Sequence, residues 1–120
     1  MTARRAVRAA RVYDEPEPGT TRILVDRLWP RGIAKDSAPF EDWLKQVAPT
    51  TELRKWYNHQ PERFAEFARR YRQELEEGPA RDALASLRSQ ASTTSLVLVT
   101  ATKDLDRSAA AVLVDVLSES

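Results

Sequence analysis

Short unbroken apolar runs alternate along this chain with longer stretches of helical spacing. Ser95-Leu96-Val97-Leu98-Val99-Thr100 is the most strand-like run, and its continuous apolar character predicts a central strand covered on both faces. Ile23-Leu24-Val25 is a second, shorter run; Asp26 and Arg27 interrupt it, and Pro30 and Gly32 stop it. Val7 to Tyr13 alternates weakly and predicts a first strand. Between these two lies Asp14-Glu15-Pro16-Glu17-Pro18-Gly19, too dense in proline and glycine for helix or ladder, hence a loop. That connection is short for a crossover helix. The first two strands are therefore either antiparallel or parallel with a loop crossover.

Beyond Gly32 the period becomes helical. Ser37 or Asp36 can cap a helix in which Phe40, Trp43, Leu44 and Val47 fall at i, i+3, i+4 and i+7, ended by Pro49. Thr50 or Thr51 caps the next, with Leu53, Trp56 and Tyr57 on one face, and Asn58-His59-Gln60 breaks it. The stretch from Pro61 to about Glu77 carries the clearest stripe, through Phe64, Phe67, Ala68, Tyr71 and Leu75, with Gly78-Pro79 as its stop. Another helix runs from Arg81 to about Gln90. Asp104 can cap a last one, buried through Leu105, Ala109, Val112, Leu113, Val116 and Leu117. The order is strand, strand, four helices, strand, helix. It predicts an α/β fold with a small, at least partly parallel sheet of about three strands flanked by helices.

Composition narrows the chemistry. The 120 residues predict a single domain spanning 1–120, and 42% hydrophobic with 31% charged residues is ordinary for a soluble globular protein. No cysteine is present, so disulfides, thiolate catalysis and sulfur-ligated metals are excluded. His59 stands alone, which leaves no histidine cluster, and no metal site or cofactor is expected. No run reaches the length of a membrane span, and no secretory signal is legible, so the expected location is cytoplasmic. Net charge is +1, yet residues 1–35 hold eight Arg/Lys against four Asp/Glu. That basic third, with Arg4, Arg5, Arg8 and Arg11 at its start, favours an anionic ligand or a solvated end.

In open α/β sheets ligands bind beyond the carboxyl ends of the strands. Asp26, Arg27, Trp29 and Arg31 follow one strand; Thr100, Thr102 and Lys103 follow the other. If the two strands are parallel neighbours, these residues converge with the start of the last helix, whose unpaired N–H groups favour anions. Arg107 adds a fork suited to phosphate or carboxylate. The competing arrangement has Asp104 and Asp106 satisfying that helix start themselves. Core packing is the stronger reading for Trp29, Trp43 and Trp56, with Trp29 the first candidate for an exception because it adjoins Pro30 outside the strand. For catalysis, Asp26 as a base or Asp104 as an acid could serve hydrolysis, with arginines stabilising negative charge. No glycine-rich phosphate loop or nucleophile elbow is present.

The residues also resemble a known family. Val25-Asp26-Arg27-Leu28-Trp29-Pro30-Arg31-Gly32 with Lys35 matches the domain of unknown function 488 family, in its short YeaO-like branch. The match continues through Trp43-Leu44-Lys45, Ala48-Pro49-Thr50, Leu53-Arg54-Lys55-Trp56-Tyr57, His59, Phe67, Arg70-Tyr71 and Glu74-Leu75. The resemblance implies a small α/β fold in a soluble bacterial protein, and polar residues gathered at the two strand ends. It implies no established activity. Relatives often carry a histidine-bearing acidic turn after the last strand, whereas here it reads Lys103-Asp104-Leu105-Asp106-Arg107-Ser108-Ala109-Ala110.

The leading expectation is a small enzyme or ligand-binding protein with a phosphate- or nucleotide-like ligand. Asp26 is its candidate catalytic residue, and Arg27, Trp29, Arg31, Lys35, Thr100, Thr102, Lys103 and Arg107 its candidate ligand-binding set. The alternatives are a nucleic-acid-associated protein using the basic N-terminal third, and a protein-interaction module.

Overall fold

A computed structural model describes residues 7–119; Arg4 and Arg5 of the basic N-terminal segment lie outside them. Strands β1 (Val7–Arg11), β2 (Thr20–Leu24), β3 (Asp42–Trp43) and β4 (Ser95–Thr100) form one sheet in the order β1-β4-β2-β3, with every pairing parallel. The open question about the first two strands is thereby answered: both run parallel to β4, and a loop makes the crossover. The last strand in the sequence is central, as its continuous apolar run requires. Ala9 stands opposite Leu98 on one side of it, and Ile23 opposite Leu98 on the other.

Helices α1 (Thr51–Tyr57), α2 (Phe64–Glu74), α3 (Gly78–Ala91) and α4 (Ala109–Ser118) complete the chain. All four contribute to one core, with Leu53, Phe67, Leu87 and Leu113 packed against Ile23, Leu96 and Leu98. The alternate strand residues Ala10, Leu24, Val97 and Val99 face the other way. That second face is covered by Phe40 and Trp43, from a segment with no α-helix. The fold is thus α/β and parallel as expected, with a fourth, two-residue strand.

Three expectations need correction. No helix forms over residues 39–47: Asp42–Trp43 pairs with β2 and is followed by a single 3-10 turn, Lys45–Val47. Gly78-Pro79 does not stop α2, which ends at Glu74; the pair opens α3, where Pro79 needs no N–H partner. Asp104 does not cap the last helix. It precedes a 3-10 turn, Leu105–Arg107, and the Ser108 hydroxyl takes the Ala111 N–H at 3.2 Å instead. Thr50 caps α1 as expected, accepting from Leu53 N–H at 3.2 Å.

Phe67 lies between Tyr57 and Tyr71, with ring centroids 4.4 and 5.8 Å away. Burial raises the pKa of both tyrosines above the ordinary 10.0, far above for Tyr71, whose hydroxyl donates to the Val47 carbonyl. Because the folded-state pKa is the higher one, their contribution is full below about pH 10 and lost as pH rises through the folded-state values. Denaturant midpoints should therefore fall as pH rises above about 10. Tyr71→Phe should make that fall shallower.

Candidate functional site

The carboxyl ends of β1, β4 and β2 open together onto a cleft of about 790 Å³. The parallel order does this directly, since all three strands end at the same edge of the sheet. Residues 25–31 after β2, residues 101–104 after β4, and Arg11 with Tyr13 at the end of β1 line it, joined by Arg54, Tyr57 and His59 from α1 and its end.

Asp26 sits at the centre and is fully engaged. Its Oδ1 accepts the Thr100 hydroxyl at 2.6 Å, and its Oδ2 accepts the Ala101 N–H at 2.8 Å. The carboxylate thus ties the end of β2 to the end of β4. Its backbone carbonyl takes the Trp43 indole N–H at 2.7 Å. Thr100 is buried, and its Oγ1 also accepts the Thr102 N–H at 3.1 Å, so it braces the turn below the cleft.

Arg27 lines the cleft while donating to the carbonyls of Pro49 and Ala48 at 3.2 and 3.3 Å. Arg107 lines it beside Asp104, to which it donates at 3.1 Å, and its own carbonyl accepts the Tyr57 hydroxyl at 2.7 Å. Arg11 reaches the Ala101 carbonyl at 3.3 Å. Arg31, Arg54 and Lys103 are exposed, and their side chains make no comparable bond among the described residues. Six cationic side chains therefore line the cleft against two carboxylates, Asp26 and Asp104, and both carboxylates are already hydrogen-bonded.

Of the expected ligand-binding residues, Arg27, Trp29, Arg31, Thr102, Lys103 and Arg107 come together at this cleft. Trp29 does so by its edge. Its indole donates to the Ile33 carbonyl at 2.7 Å and it packs against Phe40 and Trp43, so it is largely a packing residue. Thr100 lies beneath the lining, and Lys35 stands in an exposed 3-10 turn away from it. Arg11, Tyr13, Arg54, Tyr57 and His59 were not in the expected set. Three of them carried a signal: His59 as a lone histidine in a break between helices, Tyr13 as the end of the first strand, and Arg11 as part of the basic N-terminal segment.

That break has an unusual backbone. Asn58 and His59 both adopt left-handed conformations, at φ 48° and 53°. Asparagine and histidine tolerate this better than most residues, at a steric cost that glycine avoids. His59→Gly should relieve that strain, offset in part by glycine's unfolded-state entropy, and stabilise the protein by about 0.5 kcal/mol. Chemical denaturation of the variant beside the parent reads it.

Comparison with known proteins places the chain. The uncharacterised protein Rv3073c of Mycobacterium tuberculosis (strain ATCC 25618 / H37Rv) is 49% identical over 119 residues, covering 98% of each chain. Mb3100c of Mycobacterium bovis is similar to the same extent. YeaO of Escherichia coli (strain K12) is 44% identical over 70 residues, 58% of this chain and 61% of its own. No solved structure matches. Among the described residues, no helix is long and apolar enough to cross a membrane. The family described as the inactive DUF488-N3 subclade matches residues 6–120, and the chain belongs to it.

Proposed function

We propose that the strand-end cleft binds a small phosphorylated ligand and holds it without transforming it. The observation that carries this reading is the charge of the lining: six cations, of which Arg31, Arg54 and Lys103 stay open to a ligand, face two carboxylates that already accept hydrogen bonds. Guanidinium groups grip phosphate through paired, charge-assisted hydrogen bonds. Nothing comparable supports turnover. Each Asp26 oxygen accepts one bond from the fold, which gives the carboxylate a bracing role between the two strand ends. The turn 103–110 brings no histidine, and the family itself is described as inactive.

Calorimetric titration with inorganic pyrophosphate tests this. The double variant Arg31→Ala/Arg54→Ala should bind roughly 10- to 100-fold more weakly, in line with the loss of charge-assisted hydrogen bonds. Its melting temperature without ligand should match that of the parent, because neither side chain braces the fold. Unchanged affinity would overturn the site. Release of inorganic phosphate from sugar phosphates would overturn its non-catalytic character.

A further inference from the structure

Among the described residues, the fold leaves two large hydrophobic side chains exposed, Tyr13 at 47% and Leu28 at 63%, and both line the same cleft. Isolated exposed hydrophobics are ordinary, but two that converge on one concave, cationic site point to a ligand with an apolar part. Tyr13 is also held in place. Its hydroxyl donates to the Arg31 carbonyl at 3.0 Å, and the Arg11 guanidinium lies over the ring, 5.1 Å from its centroid. A ring pinned at its tip and covered by a guanidinium is a preorganised platform, with less rotamer freedom to lose when something stacks on it.

The cleft volume of about 790 Å³ lies within the range of small-molecule sites and is far more than a phosphate group alone occupies. Resting on the reading of the cleft as a phosphate site, we infer that its ligand is a mononucleotide, with the phosphate held by Arg31, Arg54 and Lys103 and the base against Tyr13 and Leu28. A single strand of nucleic acid fits less well. Such strands are held by successive aromatic platforms along a basic track, whereas Tyr13 and Leu28 make one platform in a chain of net charge +1.

The experiment is a calorimetric comparison of adenosine monophosphate, ribose 5-phosphate and single-stranded oligothymidylate on the full chain. The nucleotide should bind at least about tenfold more tightly than the sugar phosphate, the scale of one base stacked on an aromatic ring. Tyr13→Ala/Leu28→Ser should bring the nucleotide down to the level at which the same variant binds ribose 5-phosphate. Tyr13→Phe keeps the ring and should keep most of the nucleotide preference. Equal affinities in the parent, or a nucleotide affinity unchanged in the double variant, would overturn the inference while leaving the phosphate site standing. Oligothymidylate binding more tightly than the mononucleotide would replace it with a nucleic-acid role. If neither phosphorylated small molecule binds, the cleft reading fails and the inference with it.

Discussion

Arg22→Ala should destabilise the protein by about 3–5 kcal/mol, the largest expected effect of any single substitution outside the apolar core. Arg22 is 2% exposed on β2 and works as a junction. Its Nε donates to the Pro39 carbonyl at 2.6 Å, and one terminal nitrogen donates to the carbonyls of Val12 and Asp14, each at 3.1 Å. It thus fastens the crossover loop and the segment leading into β3 to the strand between them. Burial lowers its pKa, and the nearby carboxylates of Asp14 and Glu41 oppose that shift. Alanine would leave three carbonyls without their donor and open a cavity in the helix-free layer. A total stability of roughly 5–15 kcal/mol makes that a large fraction. Urea denaturation reads it, and Arg8→Ala is the control. Arg8 stands across Val97 from Arg22 on the same face of the sheet, in an exposed pair with Glu17, and its loss should stay within about 1 kcal/mol. A loss at Arg22 no larger than at Arg8 would refute the junction.

The second large effect belongs to Asp26. Alanine there removes the acceptor for both Thr100 Oγ1 and Ala101 N–H, two partly buried donors bonded to a charge, and should cost about 2–4 kcal/mol. Asparagine keeps one carbonyl oxygen for the Ala101 N–H, and its amide can donate to the Thr100 hydroxyl, so Asp26→Asn should cost about 1 kcal/mol. The graded series separates a brace from a base. A residue needed only for proton transfer would tolerate asparagine, and alanine equally well, in a denaturation experiment.

The strands and most helices were legible because their signals are local. Residues 96–99 are apolar throughout and buried on both faces, and Thr50 caps α1 within three residues of its own position. The helix expected at 39–47 shows where local spacing misleads. Phe40 and Trp43 pack below the sheet with Leu24 and Val99, while Leu44 and Val47 pack above it with the helices. Four residues at i, i+3, i+4 and i+7 thus serve two different layers, and only the pairing of Asp42–Trp43 with β2 distinguishes this from one helical stripe. The cleft was half legible for the same reason. Residues 26–31 and 102–107 follow strands that could be read directly. Arg54 and Tyr57 arrive through tertiary packing, and Arg22 stands in the sequence only as a polar residue ahead of the run Ile23-Leu24-Val25. Its partners are the carbonyls of Val12, Asp14 and Pro39, which no side-chain pattern records.

The central position of β4 also constrains how the chain can be made. β1 and β2 are complete within the first quarter of these residues, yet they do not pair with each other; each pairs with residues 95–100. A nascent chain that has emerged only as far as α3 therefore has its two longest early strands with open inner edges, and the apolar side chains of Ile23 and Leu24 uncovered by β4. Long-range parallel pairing of this kind is slow to form and leaves intermediates prone to association. Folding of this protein accordingly waits for residues 95–100 to emerge, and ribosome-bound fragments stopped before residue 95 should be protease-sensitive and should need a chaperone to stay soluble.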